Sequence, residues 1–195
     1  MGCCCTKTTG RWRTRTAVVA MWGGLLAACG GGGSDAPAPA PAPAPATGAA
    51  DCGLADFQAS LMARVNQVRA TGATCGNKGA FPPVGPLTWN SLLTQAAAGH
   101  SRDMAANNYF SHTSADGRTL ADRINASGYA WSSAGENIAA GYTSVDAVMD
   151  GWIASPGHCA NLMNAGFAEV GVVCVPGVAG DTYSTYWTMD LGRPR

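Results

Sequence analysis

Gly135-Glu136-Asn137-Ile138-Ala139 and, further on, Trp152-Ile153-Ala154-Ser155-Pro156-Gly157-His158 decide how this chain is read. The first piece is a short run of small and apolar residues around Ile138, which reads as a strand or extended segment carrying one carboxylate. The second closes a helix marked by Val145, Val148 and Trp152, begun at Thr143 or Ser144 and stopped by Pro156-Gly157. Each piece carries a group able to do chemistry, Glu136 in one and His158 in the other. Tyr109-Phe110-Ser111-His112, just upstream, supplies a second imidazole. The expectation is that His112, Glu136 and His158 meet in one cleft.

Working outward, Leu54, Phe57, Leu61, Val65 and Val68 recur at helical spacing, with Asp56 placed to cap and Thr71-Gly72 to end the helix. Leu87-Thr88-Trp89-Asn90 opens a second, alanine-rich helix that runs through Leu92, Leu93, Ala96, Ala97, His100 and Met104 to about Asn107. Leu120 to Ala126 reads as a short helix before Gly128, and Asp116-Gly117 as a turn. Val170 to Val175 is apolar and β-branched, the pattern of a buried strand, and Tyr183 to Leu191 holds another strand with alternating faces. Helices come first and long strands last. That order predicts an α+β fold, with helices packed on an antiparallel sheet.

The N-terminus is an address. Lys7, Arg11, Arg13 and Arg15 precede an apolar run, Thr16 to Ala28, that is short of the roughly 20 residues a membrane span needs. It ends Leu26-Ala27-Ala28-Cys29-Gly30, which resembles the lipobox of bacterial lipoproteins. Residues 1–28 are expected to be a signal peptide. Cys29 would be the lipidated first residue of the mature protein, anchored in the bacterial envelope, by the resemblance at the outer membrane. Residues 29–50 form a Gly-rich and then Ala-Pro spacer of extended, semi-rigid character, and the domain occupies 51–195. Without the four basic residues of the leader, eight Lys and Arg face twelve Asp and Glu. Such a balance argues against nucleic acid as a partner. A monomer is expected.

Beyond Cys29 stand Cys52, Cys75, Cys159 and Cys174, an even number in an exported domain, hence two disulfides. Four cysteines allow three pairings. Cys52–Cys75 with Cys159–Cys174 is expected, because each closes a local loop.

Taken together, these residues resemble the CAP superfamily, also called the SCP domain: cysteine-rich secretory proteins, antigen 5 and pathogenesis-related proteins. The similarity is closest to the bacterial branch and runs from about Phe57 to Gly192. It rests on Asn66 and Arg69, Leu87-Thr88-Trp89-Asn90, His100 with Asp103-Met104, and Tyr109-Phe110-Ser111-His112. It continues through Asp116-Gly117, Gly135-Glu136-Asn137-Ile138-Ala139, Trp152 with Ser155-Pro156-Gly157-His158, Val170-Gly171-Val172 and Tyr186-Trp187-Thr188-Met189. The resemblance implies an α–β–α sandwich with a central antiparallel sheet. In animal and plant members, two histidines and two glutamates form a tetrad in a large cleft that often holds zinc. By motif, His112 and His158 take the histidine places and Glu136 one glutamate place. The second glutamate falls near Ser155, where this chain has no carboxylate.

His112, Glu136, Ser155 and His158 are therefore the expected cleft residues. His112 and His158 are candidate zinc ligands, and Glu136 is a candidate general base on a metal-bound water. The alternative is a metal-free network in which Glu136 accepts hydrogen bonds from the imidazoles. Ser155 has no Asp placed to complete a hydrolase triad. His100, Asp103 and Arg123 read as structural, and Trp89, Trp152 and Trp187 as core. Three functions follow, in order of expectation. The first is an envelope-tethered module binding an apolar or extended ligand such as a lipid, sterol or peptide. The second is an adhesion or signalling domain with a vestigial cleft. The third is a zinc-dependent hydrolase of envelope peptides or peptidoglycan.

Overall fold

A computed structural model describes residues 50–195. The expected signal peptide, Cys29 and the tether as far as residue 49 lie outside the described residues. Within them no helix is long and apolar enough to cross a membrane.

The elements run α1 (Phe57–Thr71), β1 (Ala73–Thr74), a single 3-10 turn (Gly76–Lys78), β2 (Ala80–Phe81), β3 (Thr88–Trp89), α2 (Ser91–Ala106) and α3 (Leu120–Ala126). Then come β4 (Trp131–Ala140), α4 (Val145–Ala154), α5 (Pro156–Leu162), β5 (Glu169–Pro176) and β6 (Thr185–Pro194). Their starts follow local chemistry. The Asn90 side chain accepts from the backbone N–H groups of Leu92 and Leu93 at 2.9 and 3.1 Å, satisfying two donors that the first turn of α2 cannot. Ser144 caps α4 in the same way. α4 ends at Ala154, as expected ahead of Pro156, with Ser155 held extended; Pro156 itself sits in the first turn of α5, where a missing N–H costs little. Asp56, expected to cap α1, instead takes a left-handed conformation and its side chain makes no cap bond.

The main sheet has the order β3-β5-β6-β4. Its three long strands are antiparallel, as expected, but short β3 joins β5 in parallel. Strand β4 is longer than Ile138 and its neighbours suggest. Small residues such as Ser133 and Gly135 hide its period, and Gly135 is needed because a Cβ there would come within 2.8 Å of the Phe167 ring.

Helices cover both faces. On one side Phe57, Leu61 and Val65 of α1, Val148 and Trp152 of α4 and Leu162 of α5 pack on Val170, Val172, Trp187 and Met189. On the other, Ala97 and Ala98 of α2 pack on Val173, and Met104 packs on Ile138 and Tyr186. The result is the expected α–β–α sandwich, with Trp152 and Trp187 in its core. Alanines let α2 lie against β5 so closely that a Cβ on Gly171 would sit 2.5 Å from the Leu93 carbonyl carbon. Gly171→Ala should therefore cost about 1–3 kcal/mol by overpacking. A urea midpoint unchanged by that substitution would show that α2 yields freely.

The disulfides correct the expected pairing. They are Cys52–Cys174 and Cys75–Cys159, with sequence separations of 122 and 84. Cys52 is brought to β5 because Asp51 bridges Cys174 and the Cys174 N–H donates to the Ala50 carbonyl. Cys75 and Cys159 are buried together between Val68 and Met163. Nearness along the chain is the wrong guide, because the layers place the turn ahead of α1 against β5.

Candidate functional site

The loop between α2 and α3 carries His112, and three side chains, two of them buried, hold it. His100, fully buried on α2, donates from Nε2 to the Ser111 carbonyl at 2.8 Å. Burial outweighs the opposing pull of Glu136 and lowers its pKa, so the ring stays neutral. Asp103 accepts from the Ala115 N–H at 2.9 Å and from the Tyr109 hydroxyl. Arg123 on α3 donates to the His112 carbonyl, the Ser114 hydroxyl and the Arg118 carbonyl at 3.0–3.2 Å. All three read as structural from sequence, and for His100 and Asp103 that is their whole visible role.

Arg123 does more. Its Nη2 donates to Oε2 of Glu136 at 2.6 Å, with both side chains almost wholly buried. The other carboxylate oxygen, Oε1, lies 2.7 Å from Nδ1 of His112. A carboxylate only accepts, so Nδ1 carries the proton and Nε2 is left as the ring's second polar atom, on a side chain 23% exposed. Burial pushes the Glu136 carboxyl up, but the His112 hydrogen bond and the Arg123 charge outweigh it and hold the group below the ordinary carboxylate range. His112 and Glu136 thus meet as expected, and Arg123 is the partner that sequence reasoning did not assign to them.

A cavity of about 160 Å³ opens beside this pair. His112, Thr113, Glu136 and Asn161 form its polar side, and Leu120, Trp131 and Ala134 its apolar side. Asn161, on α5, donates from Nδ2 to the Glu136 carbonyl at 3.2 Å and to Oδ1 of Asn137 at 2.9 Å, tying that helix to the edge strand. Nothing in the sequence singles it out. A larger hollow, about 560 Å³, lies between α1 and α4 on the opposite face of the sheet. The charged residues that line it, Arg64 and Asp146, form a solvent-facing pair of the kind that contributes little. The smaller cavity is therefore the candidate site.

Ser155 and His158 do not line that cavity. Ser155 sits at the junction of α4 and α5. His158 is buried one turn before Asn161, and its Nε2 has no hydrogen-bond partner. Burial first, and the His112 charge second, push its pKa down to about 4, so the ring is neutral at physiological pH. It lies within electrostatic reach of His112 but is not joined to it. The residues fit a zinc ion poorly as arranged. Both Glu136 oxygens are engaged by His112 and Arg123, a guanidinium abuts the carboxylate, and among the described residues no three His, Cys, Asp or Glu side chains gather as ligands.

One further group escapes the sequence reading. Asp190 of β6 stands directly across from Glu136 in the sheet register and is fully buried. The alternation of Tyr186, Thr188 and Asp190 along β6 is the available signal, since it puts Asp190 on the Glu136 face.

A model of the cysteine-rich secretory protein family, CAP, matches residues 62–191. The uncharacterized membrane protein YlbC of Bacillus subtilis (strain 168) is 41% identical over 86 residues, which is 44% of this chain and 25% of that protein. The uncharacterized protein YkwD of the same organism is 36% identical over 87 residues, 45% of this chain and 34% of that protein. The aligned part thus spans about a quarter to a third of the length of these relatives. Among solved structures, an extracellular protein containing an SCP domain from Bacillus anthracis str. Ames is 33% identical with a TM-score of 0.52, covering 69% of this chain and 41% of that one. An outer surface protein from Borrelia burgdorferi shares the fold, with a TM-score of 0.58 at 18% identity, covering 71% of this chain and 92% of that one.

Proposed function

The chain belongs to the cysteine-rich secretory protein (CAP) family, and from that premise we propose that it is an envelope-tethered, extracytoplasmic binding module whose His112–Glu136 cleft takes part of an extended ligand. The observation that carries this reading is the double engagement of Glu136. A carboxylate clamped between an imidazole and a guanidinium is poised to orient His112, not to accept a proton from water. Cavity size narrows the ligand. Small-molecule sites usually enclose about 300–1,000 Å³, so about 160 Å³ admits a side chain or chain end and not a whole sterol. The mixed lining suits the end of a peptide or acyl chain that presents a hydrogen-bonding group to His112. Two disulfides support an oxidising compartment. The bacterial relatives described as extracellular, outer-surface or membrane proteins support the same placement. Tethering through Cys29, at the outer membrane, is part of the same proposal.

The test is extraction and mass spectrometry of molecules that co-purify with the full chain, alongside its zinc content under non-chelating conditions. An organic ligand retained by the wild type and reduced about tenfold in His112→Ala, the loss of roughly one good hydrogen bond, is the expected result. Stoichiometric zinc, lost in His112→Ala and accompanied by no organic ligand, overturns the binding reading in favour of the zinc-dependent hydrolase.

A further inference from the structure

Asp190 is a buried acid with no part in the contacts of the cleft. Its side chain is fully enclosed, and neither carboxyl oxygen has a hydrogen-bond donor. Leaving an ionised carboxylate in that condition is among the costliest arrangements a protein interior can hold. The surroundings supply no remedy. On β5 the residue opposite is Gly171, which has no side chain. From α2, the Ser101 hydroxyl is committed to Thr188 at 2.8 Å, and His100 is committed to Ser111. From α3 comes one cation, Arg123, paired with Glu136 through Nη2; its Nε is buried without a partner and makes no hydrogen bond to either Asp190 oxygen. From the loop comes His112, also paired with Glu136. The nearest titratable group on β4 is Glu136 itself, on the same face and directly across the ladder, where opposed side chains lie about 4.5–5.5 Å apart at Cβ. Glu136 thus takes the nearby guanidinium, and Asp190, with no hydrogen-bond partner of its own, is left to keep its proton.

We propose that Asp190 is a neutral acid in the folded protein, donating its proton to the Glu136 carboxylate, and that it acts as a positioning residue holding Glu136 between His112 and Arg123. A protonated Asp190 carboxyl supplies a donor to Glu136 from directly across the ladder. It also gives one of the two orphaned oxygens a partner and leaves the other as a neutral carbonyl, far cheaper to bury unpaired than a carboxylate. Burial and the Glu136 charge both push the Asp190 carboxyl well above the ordinary range, in agreement with the geometry. Protonation of Asp190 does not depend on whether the cleft binds a ligand, so its failure and that of the binding reading are separate results.

The experiment compares the full chain with Asp190→Asn by urea unfolding between pH 4 and pH 8. In the unfolded chain an Asp ionises near pH 3.9. A carboxyl that stays protonated only in the fold makes the wild type lose stability as pH rises, and the full contribution is present below that value. The wild-type folding constant should therefore fall against that of Asp190→Asn by about tenfold for each pH unit above about 4, until the folded group ionises. A ratio independent of pH overturns the proposal. Should Asp190→Asn fail to fold, the wild type alone decides. Its infrared spectrum at pH 7 should contain a protonated-carboxyl band that disappears on thermal unfolding, and a folded protein lacking that band overturns the proposal equally.

Discussion

Arg123→Met should destabilise the domain by about 3–5 kcal/mol, the range for breaking a buried ion pair from one side. The methionine fills similar volume, so the loss is electrostatic. Glu136 would be left in a site with 3% side-chain exposure and no cation on Oε2, and the His112, Ser114 and Arg118 acceptors would lose their donor. Against a total stability of about 5–15 kcal/mol that is a large fraction. For a domain of this size it should appear as roughly a 10–15 °C fall in Tm by calorimetry. The deficit should also depend on pH. In the wild type the Glu136 carboxyl is held low, so its contribution is present above the unfolded value near 4.3 and is lost as pH falls through the folded one. In Arg123→Met the stranded carboxylate takes up a proton. Its folded pKa then exceeds the unfolded one, and the deficit grows as pH rises. Adding Glu136→Leu to Arg123→Met should restore part of the loss, which a double-mutant cycle measures. A single substitution that costs less than about 1 kcal/mol at pH 8, no more than a surface pair, would mean that the pair is solvated and the site is not built around it.

Removing either disulfide is the second large effect. In the chain-entropy account, loops closed by separations of 122 and 84 residues stabilise by about 4–5 kcal/mol each, nearly alike because the dependence is logarithmic. The two differ in what they hold. Cys52–Cys174 pins the segment before α1 to β5, and Cys75–Cys159 pins the 3-10 turn after α1 to α5, beside His158. Cys75→Ser with Cys159→Ser should therefore loosen α5, and with it Asn161 at the cleft wall. Cys52→Ser with Cys174→Ser should lower stability by a similar amount while leaving the cleft intact. Unfolding with and without reductant measures the first quantity. Non-reducing peptide mapping, which should join Cys75 to Cys159, checks the connectivity. A reduced protein as stable as the oxidised one would refute the stabilising role.

The cleft divides between what local pattern discloses and what it cannot. His112 and Glu136 can be named because each sits in a short, chemically distinctive run, and the structure joins them at 2.7 Å. Ser155 and His158 sit in an equally distinctive run, yet they stand away from the cavity, because the turn of α5 that faces it presents Asn161 instead. Arg123 reads on its own helix as an ordinary amphipathic arginine. Its importance comes from lying under the His112 loop and against β4 at once. Asp190 is one polar residue in a strand of alternating faces, and only the β4–β6 register sets it opposite Glu136.

From sequence alone came the α+β class, the helix opened by Leu87-Thr88-Trp89-Asn90, the helix begun at Thr143 or Ser144 and, through the family resemblance, the two helix-covered faces and the meeting of His112 with Glu136. The first three depend on periodicity and on chemistry within one turn, the last two on motifs matched to a family. Tertiary structure alone decided which cysteines join, why α2 requires a glycine at 171, that β3 runs parallel to β5, and that buried Asp190 stands opposite Glu136. Each of those turns on which faces of distant segments meet in the packed layers, and a linear order of residues carries no distance across a sheet.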